Sequence, residues 1–154
     1  MIKKIINYLK RNNFKIVKIS TNNPISNKPL GNDNDYKKLI EGVENETYNY
    51  IDSFEKKCGF SINKQWINNI ALKTQISIKN SKPNYQHGRI LYSLLRKFID
   101  EINDKKIQVT VLETGTAVGF SALCMAKAFE DSDFKNYKIL TLDIIPSKVK
   151  IFWN

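Results

Sequence analysis

The chain has 154 residues and a mass of 17.9 kDa, room for one domain or for a small domain and part of another. Hydrophobic residues make up 42% and charged residues 26%, which places it in the globular range and excludes a disordered or fibrous chain. The formal net charge is +10, from 25 Lys+Arg against 15 Asp+Glu, and no apolar run approaches the roughly 18–20 residues that span a bilayer.

At the N-terminus, Ile2, Ile5, Ile6 and Leu9 fall at helical spacing, and Phe14, Ile16, Val17 and Ile19 form a short β-like run. Lysines interrupt the first apolar stretch and no small-residue cleavage site follows, so a secretory leader is not expected. Residues 1–20 read as an N-terminal extension, and 21–35 (TNNPISNKPLGNDND) as a loop or linker. A helical region over 36–106 follows. Asp35 is a candidate cap for a helix from Tyr36 to Lys57, with Ile40, Val43, Tyr50, Ile51 and Phe54 as its buried stripe. A second helix is expected over Lys64–Ile76, carrying Trp66, Ile67, Ile70 and Ala71. A third is expected over His87–Ile102, with Ile90, Leu91, Leu94, Leu95, Phe98 and Ile102 facing the core.

At Ile107 the pattern changes. IQVTVLE is β-branched and apolar, as a buried parallel strand should be; TGTAVG is a small-residue turn; FSALCMAKAFE is an apolar helix; KILTLDI is a second buried strand. Residues 107–154 therefore read as the first β-α-β unit of an α/β domain, the start of a Rossmann-like, doubly wound parallel sheet.

The chemistry concentrates between Glu113 and Ser121. Gly115 allows a sharp turn off the strand end and lets a ligand approach the backbone. Gly119 opens a helix whose free N–H groups favour an anionic ligand group. Glu113 ends the first strand, and Asp143, thirty residues on, ends the second, where a carboxylate can accept both hydroxyls of a ribose. The spacing lacks the dinucleotide fingerprint G-x-G-x-x-G, and no Lys follows Gly119 as a P-loop requires.

The remaining pattern, E-x-G-T-x-x-G-F-S-A-L followed by an acidic strand end, resembles motifs I and II of class I S-adenosylmethionine-dependent methyltransferases. More narrowly, it is similar to the catechol- and caffeoyl-CoA-type O-methyltransferases, and QHGRILYSLLRKFID is similar to the helix that precedes motif I in them. The resemblance implies S-adenosyl-L-methionine as cofactor and a small-molecule or sugar methyl acceptor, with a homo-oligomer allowed. Gly115, Thr116 and Gly119 would line the methionine moiety. Ser121 would hydrogen-bond its carboxylate, Glu113 would orient the loop and face the ammonium, and Asp143 would hold the ribose. No catalytic residue is assigned. The family's sheet continues for several strands beyond this point, so the expectation is an N-terminal part of such an enzyme, inactive and poorly folded by itself.

Other residues carry less. His87, the sole histidine, has no evident carboxylate partner and reads as structural rather than as a base. Cys124 reads as core, and neither it nor Cys58 has the spacing for a disulfide framework or a zinc site, as suits a cytoplasmic protein. Trp66, Tyr48, Tyr50, Tyr85 and Tyr92 read as packing, and no metal constellation is visible. From Ile107 onward five basic residues balance five acidic ones, so the whole positive excess lies earlier. That excess reads as solvated lysines on helix faces rather than a nucleic-acid interface; the alternative is a basic helical module on an anionic partner.

Overall fold

The computed structural model describes residues 29–104 and 106–144, together with the backbone of Ile25–Ser26 and Phe152–Trp153. The helix expected near residues 2–9 and the β-like run at 14–19 lie outside these residues. In chain order the elements are β1 (Ile25–Ser26), α1 (Asp33–Glu41), α2 (Asn49–Cys58), α3 (Lys64–Thr74), α4 (His87–Asp100), β2 (Val109–Thr114), α5 (Phe120–Asp131), β3 (Tyr137–Leu142) and β4 (Phe152–Trp153). Among the described residues the chain is mixed α/β, with four helices before a β-α-β unit.

The helix expected over Tyr36–Lys57 is two helices. Asn32, not Asp35, is the cap: its side chain accepts from the backbone of Asn34 and Asp35, while the Asp35 carboxylate accepts from Asn32 N at 2.8 Å. Asp35 thus sits at the third helical position of a capping box. Gly42 closes α1, and the polar stretch that follows lets the chain change direction while Val43 stays buried. One consequence is that Tyr50, placed in the buried stripe by periodicity, is 93% exposed. Gly59, at φ +80°, ends α2 in the left-handed conformation that glycine adopts without penalty. Asn63 caps α3 by accepting from Trp66 N at 2.9 Å.

Helix α4 also turns differently from expectation. Its buried positions are Gly88, Tyr92, Ser93 and Ile99, whereas Leu94 and Phe98 are about half exposed. The facing is set by Gly88. A Cβ there would lie 2.7 Å from both Cys124 Sγ and the Phe120 ring, so the missing side chain is what allows α4 and α5 to approach so closely.

Two apolar clusters meet at this contact. The larger joins Ile40, Val43, Ile62, Ile67, Ala71, Ile76, Tyr85 and Tyr92 to Phe120, Cys124 and Ala128 of α5. The smaller joins Ile99, Phe129 and Phe134 to Val109, with Val111 and Ile139 packed against it. Helix α5 contributes to both, and so couples the helical region to the sheet. Strands β2 and β3 pair in parallel from Val109↔Tyr137 to Thr114↔Leu142, with α5 as the crossover. Both strands read as buried on two faces from sequence, yet among the described residues only one face is covered. Leu112, Leu140 and Leu142 project outward and are exposed. Strands β1 and β4 pair antiparallel, Ile25 opposite Trp153.

Tyr85, Tyr92, Trp66 and Cys124 act as packing, whereas Tyr50 does not. Tyr85 donates to Asn68 Oδ1 and Tyr92 to Asp131 Oδ2, each at 2.8 Å, and Trp66 packs against the larger cluster. Cys124 is fully buried, and burial pushes its thiol up to about 12. Among the described residues no helix is long and apolar enough to cross a membrane, and no group of His, Cys, Asp and Glu could hold a metal ion.

Candidate functional site: the glycine turn between β2 and α5

The turn leaves β2 at its carboxyl end. Gly115 N donates to Leu142 O at 2.7 Å, which extends the strand pairing by one residue, and Gly119 N donates to Thr116 O at 2.7 Å, which closes the turn. Three residues out of five take positive φ: Gly115 at +83°, Ala117 at +47° and Gly119 at +81°. A Cβ built on Gly115 or on Gly119 would meet nothing within 4 Å, so both glycines look onto open space. Their conformation demands glycine, and their surroundings leave the backbone accessible to a ligand.

Ala117 is a residue that pattern reading missed. A non-glycine at positive φ costs about 1–3 kcal/mol and needs support from its surroundings. The support comes from Asp143, whose Oδ2 accepts from Ala117 N at 2.7 Å. The acidic end of β3 is thereby tied to the turn that follows β2, across 26 residues of sequence.

Helix α5 begins at Gly119 with no side-chain cap and no acidic residue in its first turn. Among the described residues no side chain caps its leading N–H groups, the condition under which a helix start attracts an anionic group. Phe120, 1% exposed, fixes this start from below. Its ring meets Tyr85 edge-on with centroids 6.5 Å apart, and His87 at 5.0 Å. His87, the first residue of α4, keeps solvent on its other side, and desolvation against the helices lowers its pKa. Its contact is with the helix start, as a structural role requires.

Glu113 is the other anchored acid. Desolvation raises its carboxyl pKa above the ordinary 4.5, and a hydrogen bond from Ser121 partly offsets this. Its Oε2 is buried without a hydrogen-bond partner. Ser121, expected from the resemblance to face a ligand carboxylate, lies beside Glu113 at the helix start. A buried, unpaired acceptor of this kind costs about 1–3 kcal/mol, more when ionised. With the folded pKa raised, its contribution to stability is full below about 4.5 and is lost as pH rises through the folded value. Glu113→Gln should remove that part of the pH dependence. Urea midpoints of parent and variant should diverge above pH 4.5, with the variant gaining; parallel curves would show that Glu113 is not desolvated.

The six residues named from sequence fall into one place. Glu113, Gly115, Thr116, Gly119 and Ser121 lie along the strand end, turn and helix start, and Asp143 reaches that turn from β3. A cleft of about 360 Å³ lies elsewhere, between α2, α3, α4 and the α1–α2 connection. It carries Glu44, Glu46, Asp52 and Glu55 against Lys64 and Arg89. Three of its four carboxylates are paired within the chain. Arg89 pairs with Asp52 and Glu55, and hydrogen bonds from it to those carboxylates, Glu55 first, hold the guanidinium pKa above its ordinary value. Glu46 pairs with Lys82. The glycine turn is therefore the better candidate, because its backbone groups and Glu113 are the ones left to be answered by a ligand. Compared with models of known families, with curated proteins and with solved structures, the chain gives no match.

Proposed function

We propose that this chain binds S-adenosyl-L-methionine at the β2–α5 turn, in the manner of a Rossmann-like class I methyltransferase acting on an oxygen of a small-molecule or sugar acceptor. The observation that carries the reading is the orphaned, buried Oε2 of Glu113 beside two glycines of positive φ that face open space. The ligand groups and the chain's groups match in kind. An ammonium would satisfy Glu113, a carboxylate would suit the uncapped start of α5, and ribose hydroxyls would suit Asp143 at the end of β3. When bound, the cofactor supplies an electrophilic methyl group on a sulfonium. The chain's share is to bind and align: Glu113 fixes the amino end, Gly115 and Gly119 admit the ligand against the backbone, and Asp143 sets the ribose while bracing Ala117. The alternative of a basic module for an anionic partner draws no support from the cleft between α2, α3 and α4, where Lys64 and Arg89 lie among four carboxylates.

A thermal-shift comparison tests the ligand class. A ligand that binds only the native state at a hundred times its Kd stabilises by about 2.7 kcal/mol. S-adenosylhomocysteine should raise the Tm, whereas NAD and ATP should leave it unchanged; equal shifts, or a shift with NAD alone, would remove the reading. Asp143→Ala should weaken S-adenosylhomocysteine binding by about 1.5–3 kcal/mol, the range for hydrogen bonds to a charged group. Asp143→Asn keeps an acceptor for Ala117 N but loses the charge. An Asn variant as tight as the parent would assign Asp143 to bracing the turn and not to the ribose.

A further inference from the structure

A turn with three residues of positive φ has to be held in shape, and here the hold comes from the neighbouring strand. Leu142 O accepts from Gly115 N at 2.7 Å and from Thr116 N at 3.4 Å, and Asp143 Oδ2 accepts from Ala117 N at 2.7 Å. Three successive N–H groups of the turn are thus tied to the last residue of β3 and the residue after it. Gly119 N is answered inside the turn, by Thr116 O. Of these acceptors only Asp143 Oδ2 belongs to a side chain.

Asp143 holds the position that most needs holding. Gly115 and Gly119 take positive φ freely. Ala117, at φ +47°, brings its Cβ close to the following carbonyl oxygen and favours negative φ unless it is tied. A change of conformation there is passed two residues on to Gly119, where α5 begins and its leading N–H groups take their direction.

We infer that Asp143 acts on both ends of the bound ligand. It meets the ribose directly, and through Ala117 it holds the leading N–H groups of α5 where they receive the amino-acid end. This rests on the reading of the turn as an S-adenosyl-L-methionine site, and makes Asp143 a positioning residue as well as a ribose ligand. An ionised carboxylate can do both, because it has about four acceptor positions and Ala117 N takes one of them. A turn shaped before the ligand arrives also spares binding the cost of ordering it.

Two ligands separate the roles. S-adenosylhomocysteine has both ends, whereas 5′-methylthioadenosine keeps the ribose and lacks the amino-acid part. Asp143 is exposed, so Asp143→Ala leaves the core intact. It should weaken both ligands, and S-adenosylhomocysteine by about threefold or more beyond the other, the net worth of a hydrogen bond. Adding Ala117→Gly, which takes positive φ without a tie, should recover that excess for S-adenosylhomocysteine and nothing for 5′-methylthioadenosine. Hydrogen exchange of the unliganded chain reads the hold itself. The Ala117 amide should exchange about tenfold faster in Asp143→Ala and stay protected in Asp143→Asn, which keeps an acceptor. Equal losses for the two ligands, or an Ala117 amide whose exchange is unchanged in Asp143→Ala, would overturn the inference alone. A parent chain that bound neither ligand would overturn the cofactor reading, and the inference with it.

Discussion

Gly115→Val should abolish S-adenosylhomocysteine binding, a loss of at least a hundredfold, while the protein still folds. The two effects separate because of where the side chain would go. Nothing lies within 4 Å of a Cβ at this position, so the variant meets no clash in the core. It pays only for holding a β-branched residue at φ +83°, about 1–3 kcal/mol. The ligand, by contrast, loses the space against the backbone and the turn that shapes it. Gly115→Ala should show a smaller version of both effects. Titration with S-adenosylhomocysteine beside a urea melt reads them separately. A valine variant that binds as tightly as its parent would mean that the ligand does not approach this turn.

Gly88→Ala is expected to carry the largest stability cost of any single-methyl addition in the described residues. Alanine is favoured over glycine inside a helix by up to about 1 kcal/mol. Against this, the new Cβ lies 2.7 Å from Cys124 Sγ and from two atoms of the Phe120 ring, both side chains essentially unexposed. Overpacking of a tight core costs about 1–3 kcal/mol, and with no room for Phe120 to yield it should prevail, lowering the Tm by several degrees. Adding Cys124→Ala should recover part of the loss, with a coupling of about 0.5–3 kcal/mol between the two sites. A Gly88→Ala protein as stable as the parent would show that α4 and α5 slide apart freely. Because Phe120 opens α5, the same variant should also disturb the glycine turn.

The β-α-β unit was legible in the sequence because its grammar is local. Strand, small-residue turn, apolar helix and strand each announce themselves within a few residues, and Gly115 and Gly119 do sit where positive φ is needed. Long-range choices were less legible. Helix α4 carries enough Ile, Leu and Phe for two rival stripes, and only the close approach at Gly88 selects the face with Tyr92 and Ile99. The break after Gly42 was masked because Val43 continues the apolar spacing of α1. In the site, Asp143 was identified as an acid at a strand end, but its backbone partner Ala117 left no mark in residue type. The proximity of Ser121 to Glu113 was equally silent, since it depends on how the strand end and the helix start face each other.

The central claim is that the β2–α5 turn holds S-adenosyl-L-methionine through Glu113 and the two glycines, and isothermal titration of the full chain with S-adenosylhomocysteine tests it most directly. Because the Glu113 carboxyl is raised above its ordinary 4.5 and the ligand's ammonium favours its ionised form, binding at a pH near or below that raised value should release a proton. The account predicts one site with micromolar affinity that tightens as pH rises through the raised Glu113 value, and a Glu113→Gln protein whose weaker binding lacks that dependence. Absence of heat with S-adenosylhomocysteine alongside clear heat with NAD or ATP would contradict it.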